Sequence, residues 1–182
     1  MDRKVLGALW EQIQFNRVDT IDHRTFVPPS SLQSILTPAA VSAAVSELTC
    51  SDEDRLGLAG TICEHGIITF AILIWIKNAD AIVDFRRHMC LDERLPLDSD
   101  TASAVASNFA PTFLRTQVEF LPHQFSVGED VEIPESRILP FVSEVAPCRV
   151  GGFGAVRQLE VHSSVQTFFP PTVKRPPTCN VV

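Results

Sequence analysis

Three things that this 182-residue sequence has little of narrow what it can be. Basic charge is the first: 15 Lys and Arg stand against 22 Asp and Glu, a formal net charge of -7. That balance opposes a phosphate backbone and supplies no broad basic stripe, so nucleic acid is not an expected partner. Paired cysteine is the second. Cys50, Cys63, Cys90, Cys148 and Cys179 are odd in number and scattered singly, with no C-x-x-C. Such thiols suit a reduced, intracellular protein, cytoplasmic or nuclear, rather than a disulfide framework. The third is apolar length. The longest run, Gly66 to Ile76 (GIITFAILIWI), has 11 residues, whereas a bilayer-spanning helix needs roughly 20. Glu64, His65 and Lys77 flank it closely, so a buried core segment is expected and no membrane span. The opening MDRKVLGALWEQ reaches Glu11 without a long apolar stretch or a small-residue cleavage site, unlike a secretory signal.

What is present is enough for one good core, or a core plus a small appended unit: 45% of the residues are hydrophobic. Residues 1–18 can form a helix, with Val5, Leu6, Leu9, Trp10 and Ile13 on one face. Phe26-Val27-Pro28-Pro29 breaks that pattern, because proline fixes φ and lacks an N–H. Thr37-Pro38 is a strong restart, a hydroxyl cap followed by proline at the first helical position, with Val41, Val45 and Leu48 inward. Ser51-Asp52-Glu53-Asp54 places a cap and three acids where a helix dipole favours them, opening a helix toward Glu64 that Gly66 ends.

Periodicity alone leaves Ile67 to Ile76 as a buried strand or helix. The helical spacing of Ala81, Ile82, Phe85 and His88 just after it, with Asp84 able to support Arg87 or His88, decides for a helix pair. A loop is expected from Leu91 to Asp100, then a helix to about Phe120 that Pro111 restarts or kinks and Pro122 closes. The acids Glu129, Asp130, Glu132 and Glu135 read as a solvated, turn-rich surface.

From Val142 the character turns to β: VSEVAPCRV, a glycine cluster, then AVRQLEV, in a two-stranded hairpin. The last twenty residues carry four prolines, which suit neither a central strand nor a helix interior. The expected organisation is therefore a helical accessory region at 1–125, a linker at 126–141, the hairpin at 142–169 and a disordered proline-rich tail at 170–182. The fold class is mostly α, formally α+β.

The phosphate-binding candidate is Gly151-Gly152-Phe153-Gly154-Ala155-Val156. Glycine is useful there because backbone amides must approach phosphate oxygens closely. The stretch LPFVSEVAPCRVGGFGAVRQLEVHSSVQTF resembles the opening of the kinase domain in a family of fungal protein kinase domain-containing proteins, with its G-x-G-x-x-G-x-V loop. Upstream, ICEHGIITFAILIWIKNADAIVDFRRHMCLDERLPL and FLRTQVEFLPHQF resemble the helical region that precedes the kinase in the same family, so the likeness covers roughly residues 20 to 169. One position departs from the pattern: Arg149 stands where its first glycine belongs.

The resemblance implies ATP and Mg2+ as ligands, Gly151, Gly152, Phe153, Gly154 and Val156 as a phosphate cover, and phosphoryl transfer to protein hydroxyls in a full-length form. A kinase also needs a strand-borne lysine, a helix glutamate, a catalytic aspartate and a magnesium-binding aspartate. The sequence holds no H-R-D and no D-F-G, and Lys174, bracketed by prolines, reads as a tail lysine. Expected, then, is a truncated kinase-like chain with no catalytic residues of its own, no metal site and no tight nucleotide. The alternative is a non-enzymatic helical module that binds protein partners and carries a vestigial hairpin.

Other residues have plainer readings. Cys63-x-His65 and His88-x-Cys90 offer soft metal ligands, but a buried Cys and a helix-end His are commoner. Trp10, Phe70, Trp75, Phe85, Phe113 and Phe120 are expected in the core. Arg86-Arg87 reads as a solvated helix face, and no nucleophile elbow surrounds any Ser or Cys.

Overall fold

The computed structural model describes residues 3–126, 132–151, 154–166 and 178–181, and these are mostly helical. Helix α1 (Lys4–Phe15) buries Leu6, Leu9 and Ile13 as its spacing predicts. Strands β1 (Val18–Asp19) and β2 (Thr25–Phe26) then form a short antiparallel pair, Val18 opposite Phe26. The pair lies between the first helix and the prolines at Pro28-Pro29, in two-residue strands too short to show alternation. Helix α2 (Pro29–Ile35) follows at once, with proline at its start. Helix α3 (Pro38–Ser46) begins where expected, the Thr37 hydroxyl accepting from the amide of Ala40.

The helix expected from Ser51 to Glu64 is instead two. Ser51 caps α4 (Asp52–Arg55), Gly57 turns the chain at φ 70, and α5 (Leu58–His65) starts afresh. Only glycine takes that left-handed geometry without a Cβ penalty. Helix α6 (Ile67–Trp75) is the apolar run, and Thr69 through Ile74 are all buried. A 3-10 turn at Ala79–Ala81 leads into α7 (Ile82–Arg87), which completes the expected helix pair. Beyond another 3-10 turn at Asp92–Arg94 come α8 (Ser99–Ala106) and α9 (Ala110–Phe120), with Pro111 at the restart. No single helix among the described residues is long and apolar enough to cross a membrane.

One hydrophobic core joins every one of these helices except α4 around α6 and holds Phe70, Phe85, Phe113 and Phe120 at 1% exposure or less. A second, smaller cluster comprises Phe26, Ile138, Val161 and Val165, with Phe125 and Phe141 against it. It binds the C-terminal sheet to the front of the chain. In that sheet β3 (Phe141–Gly151), β4 (Gly154–Val161) and β5 (Thr178–Val181) form an antiparallel meander in the order β3-β4-β5. Pro147, which has no N–H to give a ladder, falls at a register shift between Ala146 and Arg149.

Two boundaries need correction. The proposed linker at 126–141 delivers Ile138 to the second cluster, and the Arg24 guanidinium donates to the carbonyls of Glu135, Ser136 and Arg137, so 132–140 is docked. The proposed disordered tail supplies β5, whose Cys179 pairs with Leu159. The proline argument stops at Pro177, and Thr178–Val181 have every N–H a ladder needs.

Because Phe26 is fully buried between the β1–β2 pair and the sheet, Phe26→Ala is expected to cost about 3–5 kcal/mol in urea unfolding. Hydrogen exchange should show amide protection in β3 and β4 falling before protection in α6; equal loss in both would count against this cluster as the link.

Candidate functional site

The sheet places the proposed nucleotide-binding residues at one end of a hairpin. Gly151 is the last residue of β3 and pairs with Gly154, the first of β4; Val150 pairs with Ala155 and Arg149 with Val156. Gly152 and Phe153, which complete the turn, lie outside the described residues, as does Lys174. The backbone thus brings Gly151, Gly154 and Val156 together at a glycine-rich tip.

A second site grows from the way α6 begins. Gly66 precedes the helix, and a Cβ there would lie 3.3 Å from a methyl of Leu91 and 3.4 Å from Cα of Ile62. A side chain there would press on Leu91, and glycine itself has none with which to cap the helix. The missing cap comes from Asp92, whose carboxylate accepts from the amides of Ile68 and Thr69 at 2.9 and 2.8 Å and from the Thr69 hydroxyl at 2.8 Å. These are the first-turn donors that a helix leaves unpaired. Burial pushes the Asp92 carboxyl above its ordinary range, against the three hydrogen bonds that favour the anion.

Pinning Asp92 fixes the residues around it. Leu91, Glu93 and Arg94 form one wall of an open cleft of about 630 Å³, and Thr61 and His65 of α5 with Arg86, His88 and Met89 form the rest. Arg86 donates to the carbonyl of Leu56, and among the described residues Arg94 has no salt bridge within 4 Å. Arg87, by contrast, is committed to Asp54 at 2.7 Å and Asp84 at 3.2 Å. The Arg86-Arg87 pair therefore divides: one structural, one facing the cleft. His65 lies 3.6 Å from Glu93 and 3.7 Å from Glu64.

Met89 on the rim breaks a local rule. Helix α7 closes with the amide of Cys90 donating to the carbonyl of Phe85 and that of Met89 to Arg86. In such an ending the turning residue is left-handed and usually glycine. Here it is Met89 at φ 53, with 79% of its surface exposed. Its Cβ costs about 1–2 kcal/mol in that region, and its thioether is not recovered by the core. Leu56, whose carbonyl accepts from Arg86, is 81% exposed.

At the other end of α6 the two tryptophans stack, centroids 5.2 Å apart and planes 8° from parallel. The Trp10 indole N–H donates to the carbonyl of Trp75 at 3.0 Å. Arg17 lies over Trp75 at 4.8 Å and ion-pairs Glu119 at 2.6 Å; Lys77 lies over Trp10 at 5.3 Å. The expectation of core packing fits the four phenylalanines, while the tryptophans form a half-buried cation-flanked stack.

Of the proposed soft-ligand residues, His65 and His88 line the cleft, whereas the Cys90 thiol is buried and donates to the carbonyl of His88 and Cys63 packs against the core. Among the described residues no group of three His, Cys, Asp or Glu side chains is placed to hold a metal ion. No family model, curated protein or solved structure matches the chain. Sequence reasoning missed Asp92 as a cap and Arg94 as a cleft residue; the one local hint was Gly66, a helix start with no capping side chain.

Removing the Asp92 carboxylate in Asp92→Ala should cost about 2–3 kcal/mol, the price of stranding buried first-turn amides. A carboxyl whose folded pKa is raised binds its proton more tightly when folded, so its contribution to stability shrinks as pH rises from the unfolded value of about 4 through the raised folded one. The stability of the native chain relative to Asp92→Asn should therefore decline across that window, measured by urea unfolding; a rise would mean that the hydrogen bonds outweigh burial.

Proposed function

We propose that the chain is a non-enzymatic helical interaction module attached to a glycine-rich sheet of protein-kinase type, and that its docking face is the cleft between α5 and α7. The observation that carries this reading is Met89, an exposed thioether held in a left-handed backbone beside Arg86 and Arg94. Local strain with no packing return marks functional positions more often than structural ones. The occupant is an acidic segment of a partner protein that also presents an apolar side chain. Arg86 and Arg94, with no carboxylate within 4 Å among the described residues, supply charge complementarity against the one carboxylate that lines the cleft, Glu93, and Met89 supplies an apolar contact.

A second reading, nucleotide cover by the glycine-rich turn, draws support from the Gly151–Gly154 pairing and from the family resemblance. Arg149 in place of the first glycine, and the lack of H-R-D and D-F-G in these residues, weigh against phosphoryl transfer.

Fluorescence anisotropy with a labelled peptide of alternating Glu and Leu tests the docking face. Saturable binding should weaken with salt and fall at least tenfold, about 1.4 kcal/mol, in Arg86→Glu/Arg94→Glu. Met89→Gly should raise stability by about 1 kcal/mol while lowering affinity, which separates display from folding. Unchanged affinity in both variants overturns the docking face. In thermal shift, ATP with Mg2+ at millimolar concentration should leave the melting temperature unmoved; a saturable, magnesium-dependent rise would replace this reading with the nucleotide one.

A further inference from the structure

We propose that the hollow between α1 and the end of α6 is a binding site for a small, flat aromatic monocarboxylate. Its volume is about 310 Å³, with Leu6, Ile74 and Ala79 as apolar wall and Gly7, Trp10 and Lys77 around its mouth. That size stands at the lower end of ligand cavities, roughly 300–1,000 Å³, so it admits one ring system and not a nucleotide.

Two residues at this hollow contradict what the local backbone prefers. Gly7 lies inside α1, where alanine is more stable, yet a Cβ there would meet nothing within 4 Å. Packing does not require the glycine; what it leaves is open space beside the Trp10 ring. Lys77 is the second. Helix α6 ends with the amide of Asn78 donating to the carbonyl of Leu73, and Lys77 occupies the left-handed position at φ 60, where glycine is usual. The chain accepts that strain and obtains an ammonium 5.3 Å from the Trp10 centroid.

The charges then decide the ligand. Arg3 is committed to Asp80 at 2.7 Å and to Thr49 at 3.0 Å. Lys77 has no carboxylate within 4 Å among the described residues, so it is the cation available to an acid. Glu11 also lines the hollow and opposes any anion there, so the ligand carries a single negative charge and places it at Lys77. The Trp10 ring is fixed by its stack on Trp75 and by its indole hydrogen bond, and Lys77 lies over it, so a carboxylate that draws the exposed ammonium aside uncovers indole surface for a flat apolar body.

The test is an NMR titration of the ¹⁵N-labelled full chain with phenylacetate, and with phenylacetamide as its uncharged counterpart. The sequence has two tryptophans, and Trp75→Phe assigns the Trp10 indole signal while keeping its backbone acceptor. Phenylacetate should move that signal saturably with a Kd on the order of 1 mM, as expected for a ligand of this size. Phenylacetamide should bind at least tenfold more weakly. Lys77→Gly should lose at least tenfold in affinity without a fall in melting temperature, and Gly7→Leu should abolish binding by filling the hollow. Should Gly7→Leu fail to fold, Lys77→Gly decides alone. Absence of a saturable shift up to roughly 20 mM, equal affinity for acid and amide, or unchanged affinity in Lys77→Gly would each overturn the proposal.

Discussion

A helix that is apolar on every face must be covered on every face, and α6 imposes that condition on the rest of the molecule. Six consecutive residues from Thr69 to Ile74 are buried, so α1, α2, α5, α7 and α9 pack around it and the chain is wrapped into one core. Such a helix cannot leave its ends to water. Its first amides are taken by Asp92, and its last carbonyls by the turn through Lys77 and Asn78. Each closure fixes the backbone of a segment that is otherwise irregular. The cationic cleft sits at the first and the indole hollow at the second, so both surface features derive their geometry from one buried element.

The same solution recurs at α1. Arg3 provides no side-chain cap there, and the carboxylate of Glu47 accepts from the amides of Val5 and Leu6 at 2.9 and 3.0 Å. Carboxylates distant in sequence thus serve two helix starts. This arrangement couples helix formation to tertiary packing: neither end is satisfied until its partner segment has arrived, which favours cooperative assembly over independently stable helices.

What was legible in the sequence follows from that distinction. Local signals were read correctly where both partners lie within a turn of each other: the Thr37 cap, the Ser51 cap, the restart at Pro111, and the helical identity of the FAILIWIK run. Gly57 was passed over because its effect depends on a left-handed backbone, which composition does not announce. The short β1–β2 pair and β5 were missed for another reason: two- and four-residue strands carry too little alternation to register, and their stability comes from what they pair with. Asp92 and Glu47 act across 24 and 42 residues, beyond any window of periodicity. The glycine cluster at Gly151 and Gly154 was visible as a turn because hairpin chemistry is local. The cleft was not, since its walls come from α5, α7 and the turn after it.

Charge distribution ties these points to function. In a chain of net charge -7, a cation that lines a cavity without a carboxylate beside it is a point where an anion can be met. Arg3, Arg17 and Arg87 are each held by a carboxylate within 2.7 Å, and Arg24 by three backbone carbonyls. Among the described residues Lys77 and Arg94 have no such partner; Lys77 is itself left-handed and lines the hollow, and Arg94 lines the cleft that left-handed Met89 also lines. Packing explains neither the exposed thioether of Met89 nor the empty space at Gly7. Stability alone would favour glycine at the first and alanine at the second. Both departures fall at α6's two ends, where the closures of a buried helix have already fixed the backbone and a side chain can be held outward.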